Sequence, residues 1–381
     1  MKKALIVTTI SGFVPQFEMN NVRLLQRLGY QVHYASNFDH PVYEYDASLF
    51  QKAGIRTHHI AIQKSPFGIP GNLKALAQLR ALMARERFDL IHCHNPMGGV
   101  LGRMAACSSG RGAVMLYTAH GFHFYKGAPL KNWLLYYPVE RFLARFTDHL
   151  ITINREDYER AVGFRLRSRG RVWKIPGVGL DVQRFHPGRI SREEQKKELG
   201  FPPEGFLLLS VGELNANKNH ETVIRAMASM KEEGLYYGIC GRGAEKERLK
   251  ELTAQLGLDG HVKLLGYRKD IERVLQAADC FVFPSRREGF GMASVEAMAC
   301  GIPMITSDCR GTREYMQDGV TGIMCQANRP EAYAHAVRWM LGHEREREQM
   351  GAACRNAACR FSREATEEVM RVIYDQADRR E

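Results

Sequence analysis

The stretch Phe283-Pro284-Ser285-Arg286-Arg287-Glu288-Gly289-Phe290-Gly291-Met292-Ala293-Ser294-Val295-Glu296-Ala297-Met298-Ala299-Cys300-Gly301-Ile302-Pro303 reads as a strand end, a loop and a helix. An apolar strand stops at Phe283, a loop with two glycines follows, and a helix begins near Met292. Glu288 therefore sits at the carboxyl end of a strand, and Glu296 lies one turn into the helix with seven residues between them. The amides of Gly289, Phe290 and Gly291 can approach a ligand with little side-chain obstruction. A carboxylate accepts two charge-assisted hydrogen bonds from vicinal hydroxyls, so this spacing suits one glutamate on a hexose and the other on a ribose. Taken alone, Glu288 reads equally well as a solvated loop carboxylate, and Glu296 as a residue favoured by the helix dipole.

Outward from this stretch, short β-rich runs alternate with amphipathic helical runs, the pattern of βαβ units and parallel sheets. The class is α/β. Expected strands in the first half are Lys3 to Thr9, Gln31 to Ala35, Arg56 to Ala61, Leu90 to His92, Ala113 to Thr118 and His149 to Ile153. The pattern restarts with Phe206 to Val211, Tyr236 to Cys240, Val262 to Leu265, Cys280 to Phe283, Met304 to Thr306 and Gly322 to Met324. Between the halves, Pro176 to Pro187 is rich in breakers, and the hinge is placed there. Residues 1–180, joined by a C-terminal helix over 361–381, form the expected first domain, and residues 181–360 the second. Two doubly wound domains facing one another leave a cleft at the carboxyl ends of their strands, where such sheets bind ligands.

Leu73, Leu76, Leu79 and Leu82, with Lys74, Arg80, Arg85 and Arg87 between them, predict a helix with an apolar face and a basic outer face. Trp133, Leu134, Leu135, Tyr136 and Tyr137 lie near Lys126, Lys131, Arg141 and Arg145 and are read mostly as core. The 381 residues carry a net charge of +12, with 45% apolar residues, which excludes a disordered or disulfide-stapled chain. No apolar run approaches the ~18 residues of a membrane span. Met1-Lys2-Lys3 and its short apolar run read as a first strand rather than a signal peptide, because Gly12, Pro15 and Glu18 arrive too early. The charge is lopsided: residues 1–186 carry 25 Lys+Arg against 12 Asp+Glu, and residues 187–381 carry 29 against 30. A basic half argues for an anionic partner there: nucleic acid, an acidic leaflet or a phosphate-bearing substrate. Nine cysteines without C-x-x-C indicate a reduced, cytosolic protein. His92-Cys93-His94 lacks a second pair at zinc spacing and is read as structural.

The Phe283 to Pro303 stretch, continued by Ile302-Pro303-Met304-Ile305-Thr306 and Gly311-Thr312-Arg313-Glu314, resembles the E-x7-E motif of retaining glycosyltransferases of family 4. Ser11-Gly12, Phe88 to His94, His120-Gly121, Gly177-Val178-Gly179-Leu180-Asp181 with Phe185, Gly212 through Lys218, and Gly241-Arg242-Gly243 follow in the family's order. The segment Val211 to His220 looks most like the branch that builds bacterial capsular and exopolysaccharide repeat units. The resemblance implies a GT-B fold, a nucleotide-diphosphate-sugar donor and transfer with retention. It places Glu288 near the donor sugar, Glu296 on the ribose, Lys218 on the diphosphate, Gly12 against the phosphates and His120 beside the sugar. Base contacts are expected around Gly266 to Arg268. No Asp-x-Asp occurs in the chain, which fits a family that meets the diphosphate with protein groups, so no metal and no cofactor are expected. Where many members carry Arg, this chain has Glu213: either it points away, or another base such as Arg242 substitutes.

The expected function is thus a metal-independent hexosyltransferase that moves a hexose or N-acetylhexosamine, most simply from a UDP-sugar, to a polyprenyl-diphosphate-linked acceptor. The basic half is assigned to that acceptor and to an anionic membrane surface, giving a cytoplasmic protein peripheral on the inner face of the membrane. The alternatives are a nucleotide-sugar epimerase on the same fold and a non-catalytic nucleotide-sugar- or nucleic-acid-binding protein. A nicotinamide oxidoreductase is disfavoured because Thr9 to Phe13 lacks G-x-G-x-x-G. Nucleic acid is disfavoured because no recognition module accompanies the charge.

Overall fold

A computed structural model describes residues 1–39, 42–108, 112–188 and 191–378. Residues 379–381 of the expected last helix lie outside the described residues. The chain divides into two compact units, Met1–Gly179 with Arg363–Glu381, and Leu180–Ser362.

The first unit contains β1 (Lys2–Ile10), α1 (Met19–Arg27), β2 (Tyr30–Asn37), α2 (Leu49–Lys52) and β3 (Arg56–His59). It continues through α3 (Ile69–Glu86), β4 (Leu90–His94), α4 (Pro96–Ser108), β5 (Val114–Ala119) and α5 (Leu130–Leu143). It closes with β6 (His149–Thr152), α6 (Arg155–Val162) and β7 (Arg171–Lys174). The sheet is parallel in the order β3-β2-β1-β4-β5-β6-β7. Central β1 is covered on both faces, which is why Ala4, Leu5, Ile6 and Val7 form an unbroken apolar run, all fully buried. The sequence pattern did not reveal β7: it is a four-residue edge strand with Arg171 and Lys174 exposed at its ends.

Two apolar expectations are corrected here. In α3, Leu76, Leu79 and Leu82 are buried, but Leu73 is 61% exposed, in the first turns beside exposed Phe67 and Ile69. In α5, Trp133, Tyr136 and Tyr137 pack on the core, whereas Leu134 is 71% exposed and Leu135 is also turned outward. Helical geometry gives the reason: residues 133, 136 and 137 share one face, whereas Leu134, Leu135 and Phe142 are turned away from it. α5 is held by Glu140, which accepts from Arg103 Nη2 on α4 at 2.8 Å and from the Tyr117 hydroxyl on β5 at 3.1 Å. The Arg103 guanidinium lies 3.9 Å from the Tyr117 ring centroid and also donates to the Gly99 carbonyl.

The second unit contains α7 (Arg192–Glu198), β8 (Phe206–Val211), α8 (His220–Met230), β9 (Leu235–Cys240), α9 (Lys246–Gln255) and β10 (Val262–Gly266). Then follow α10 (Ile271–Leu275), β11 (Cys280–Phe283), α11 (Met292–Ala299), β12 (Met304–Ser307), β13 (Gly322–Cys325), α12 (Pro330–Gly342) and α13 (Glu344–Ala358). Its parallel sheet runs β10-β9-β8-β11-β12-β13. The strand order reverses between β8 and β11, so the loops after these strands flank the switch point at which doubly wound sheets take ligands. After α13 the chain re-enters the first unit as α14 (Arg363–Asp378), where the Tyr374 hydroxyl lies 2.9 Å from His92 Nδ1 and Asp378 accepts from the Tyr30 hydroxyl. Among the described residues, no helix is long and apolar enough to cross a membrane.

Candidate functional site

The loop after β8 and the loop after β11 are stapled together. Asn217 Nδ2 donates to the Arg287 carbonyl at 2.9 Å, Arg286 N–H donates to the Asn217 carbonyl at 2.8 Å, and Asn219 Nδ2 reaches the Pro284 carbonyl at 3.1 Å. Asn219 takes a left-handed conformation, φ 57°, which asparagine tolerates well, and so enters α8. These contacts bring Lys218 Nζ to 2.7 Å from Glu288 Oε1, with the ammonium 4.6 Å from the Phe283 ring centroid. Both side chains are largely shielded, 20% and 12% exposed. A ligand that carries an anion next to hydroxyls can divide this pair, taking the ammonium with the anion and the carboxylate with the hydroxyls.

Glu213 is exposed, and the ion pair of Lys218 is to Glu288. Arg242 stacks on Tyr267, 4.4 Å from its centroid. Gly266 ends β10 and accepts from Gly241 N–H at 2.8 Å, which joins the two expected ligand loops of β9 and β10. Glu296 sits half-buried on α11, and burial pushes its carboxyl up to about 7, with Arg184 partly offsetting the rise. Phe290 is buried against Tyr315 and Phe361, while Gly289 is half-buried. Gly291 caps α11 at φ 98°, where a Cβ would meet the Tyr315 hydroxyl at 2.8 Å.

Gly311 packs directly against the loop that carries Glu288. A Cβ there would meet Glu288 Cβ at 2.8 Å and the Phe290 amide nitrogen at 2.9 Å. Gly311→Ala must therefore displace the loop that carries Glu288. Activity is expected to fall by about 10²-fold with the melting temperature nearly kept, because a 1 Å misplacement costs on that order. Unchanged turnover would show that the loop is not positioned by this approach.

In the first unit, Gly12 follows β1, and Gln16 N–H donates to its carbonyl as the short helix Val14–Glu18 begins. This helix brings Glu18 against His94 at the end of β4 and His120 after β5. Glu18 Oε1 lies 3.5 Å from His94 Nδ1 and 3.8 Å from His120 Nε2, and the two ring nitrogens are 3.1 Å apart. Phe13 packs edge-on against His120, and the His92 ring lies tilted by 40° against His94 with centroids 4.1 Å apart. In the sequence, His120 carries a role, His94 reads as structural and Glu18 carries none; nothing in their spacing reveals that a helix and two strand ends converge.

Among the described residues, Glu18, His94 and His120 are the three metal-type side chains whose ligand atoms converge, within 4.8 Å. A metal-bound imidazole normally donates its second N–H to a partner, but His94 Nε2 is buried and unpartnered, so the set does not fit a metal site. The cluster is neutral by burial. Glu18 is pushed up to about 8, while His92 is held down to about 3 and His120 to about 4. A ring held neutral stabilises the fold above the unfolded histidine value and loses that contribution as pH falls. For fully buried His92 the loss from pH 6.5 to 5 is about 2 kcal/mol. Glu18 acts oppositely, stabilising below its unfolded value near 4.5 and losing that as pH rises toward 8. Urea midpoints at pH 5, 6.5 and 8 are expected to peak in the middle, and Glu18→Gln to flatten the alkaline limb; an unchanged limb contradicts this.

Comparison with known proteins follows the two units. Residues 18–176 match the glycosyl transferase 4-like domain, and residues 191–357 match glycosyl transferases group 1. EpsD of Bacillus subtilis (strain 168), a candidate glycosyltransferase by its name, is 39% identical over 98% of this chain and 96% of its own. An Escherichia coli protein named UDP-Gal:alpha-D-GlcNAc-diphosphoundecaprenol alpha-1,3-galactosyltransferase is 30% identical over 70% of each chain. Among solved structures, Anabaena HepE in complex with UDP has a TM-score of 0.80 at 20% identity, covering 99% of this chain and 100% of that one. With two doubly wound units, an E-x7-E loop beside its lysine, and matches to both family domains, the chain belongs to the family-4 glycosyltransferases of GT-B fold.

Proposed function

We propose that this glycosyltransferase moves a hexose or N-acetylhexosamine from a UDP-sugar to a polyprenyl-diphosphate-linked sugar, with retention and without a divalent metal, in cell-surface polysaccharide synthesis. The observation that carries the reading is the Lys218–Glu288 pair at the switch point of the second sheet. A sugar–phosphate bond that breaks leaves negative charge on the diphosphate, and a placed ammonium stabilises that charge. Lys218 takes the diphosphate, Glu288 the sugar hydroxyls, Glu296 the ribose, and the amides of Gly289, Phe290 and Gly291 complete the donor contacts; Arg242 and Gly266 border the base. On the first unit, Gly12 lies against the phosphates and His120 against the sugar. A phosphate oxygen of the leaving group helps deprotonate the acceptor hydroxyl. Support for the donor and acceptor classes comes from the Escherichia coli relative, whose name specifies a UDP-sugar and a diphosphoundecaprenol acceptor. Calorimetry with UDP and GDP, then transfer assays with UDP-sugars and a lipid-linked acceptor, test this. Binding of neither nucleotide overturns it.

The exposed face of α5, with Leu130, Leu134 and Phe142 beside Lys131, Arg141 and Arg145, supports docking on an anionic leaflet. The full chain is expected to float with phosphatidylglycerol-containing vesicles at low salt and to be released at high salt. Flotation independent of anionic lipid, or none at all, sinks this assignment.

A further inference from the structure

The hydrogen-bond arithmetic of the Glu18–His94–His120 cluster goes beyond the placement of His120 near a sugar. His94 Nδ1 and His120 Nε2 are 3.1 Å apart, a hydrogen bond that holds one proton between two rings. If His120 donated it, neutral His94 would carry its own proton on Nε2, a buried nitrogen with no partner. A buried N–H without an acceptor is the rarest kind of orphan in folded proteins. If His94 donates instead, its bare Nε2 is the unpartnered atom, and the shared proton lies on Nδ1, 3.5 Å from Glu18 Oε1. The other carboxylate oxygen of Glu18 already accepts from Asn21 Nδ2 at 2.6 Å, so Oε1 is the one turned to the rings. His120 then accepts at Nε2, and its own proton sits on Nδ1.

We propose that Glu18 and His94 are positioning residues that fix His120 as a neutral imidazole protonated on Nδ1, and that this N–H is offered to a hydroxyl oxygen of the bound carbohydrate. The ring of His120 is the member of the cluster that reaches solvent, 19% exposed against 1% for His94 and 3% for Glu18. The surroundings keep the rings uncharged: burial lowers the basicity of His92, His94 and His120 alike. The titratable groups facing the cluster are Glu18 from the short helix after β1, His92 and His94 from β4, His120 after β5, His149 from β6 through His92, and Tyr374 from α14. The carbohydrate part rests on the glycosyltransferase reading of the site, and the tautomer part does not.

The test has two arms. In the full chain labelled with 15N-histidine, long-range 1H–15N spectra at pH 7, assigned with His94→Gln and His120→Asn, are expected to show both rings neutral and protonated on Nδ1. A proton on Nε2 of His94, or a charged ring, overturns the inference, whatever the enzyme transfers. In kinetics, the amide nitrogen of His120→Asn falls near Nδ1 and that of His120→Gln near Nε2. The asparagine variant is expected to keep kcat/KM about tenfold or more above the glutamine variant, as one placed donor contributes at least that much. Equal loss in both overturns the donor role. The wild-type pH profile is expected to carry an inflection on its alkaline side that Glu18→Gln lacks, and an unaltered profile removes Glu18 from the set. Absence of any transfer by wild type would instead indict the glycosyltransferase reading and leave the spectroscopic arm standing.

Discussion

Glu288→Gln is expected to lower transfer by about 10²-fold or more while UDP binds as well as, or up to about tenfold better than, in the wild type. The split follows from the ion pair. Lys218 is neutralised by Glu288 at 2.7 Å in the unliganded chain, and an arriving diphosphate must take the ammonium from that partner. The neutral amide frees the cation and discards the charge-assisted bonds to sugar hydroxyls, so anion binding and turnover move in opposite directions. Lys218→Ala is expected to weaken both together. Calorimetry with UDP and initial rates on the same preparations distinguish the two variants. Parallel losses in Glu288→Gln would mean that the carboxylate merely holds the lysine, and full activity would remove it from the site.

Glu140→Ala is expected to destabilise the first unit by about 3 to 5 kcal/mol, the order seen when one member of a buried ion pair is removed. Arg103 is fully buried, and without Glu140 its charge is left against the Tyr117 ring with the Gly99 carbonyl. That loss is a large share of the stability of a typical domain. The double replacement Arg103→Met with Glu140→Leu is expected to recover most of it, since paired apolar residues of similar volume are often no less stable. Urea denaturation followed by tryptophan fluorescence reads the difference through Trp133 on α5. Because Glu140 ties α5 to α4 and β5, the single variant should also lose vesicle flotation before it loses UDP binding, which in the proposed function rests chiefly on Lys218 of the other unit.

The strands of both units were legible, with β7 of the first unit the exception. The six strands of the second unit are apolar runs in mostly central positions, and the sequence pattern marks each within a residue or two. The Glu288 loop was readable because glycines and a strand–helix transition punctuate it. By contrast, β7 is a charged edge strand, and Leu73, Leu134 and Leu135 are apolar without being core; composition does not separate a leucine that packs inward from one that faces out. The partnership of Lys218 with Glu288 joins residues seventy positions apart, and that of Glu18 with His120 more than a hundred. Such meetings are set by strand order, which local periodicity does not encode.

The return of the chain as α14 has a consequence for biosynthesis. Tyr374 supplies the hydroxyl beside buried His92, and Asp378 receives the hydroxyl of Tyr30, so both polar groups wait for a helix translated some two hundred residues after β7. While the second unit is being made, the nascent first unit holds a histidine paired through Nε2 to Thr118 but not through Nδ1, and an α1 whose α14 partner is still missing. At ribosomal speeds of about 5 to 20 residues per second, that interval lasts roughly ten seconds or longer, a window in which a holdase chaperone has surface to bind.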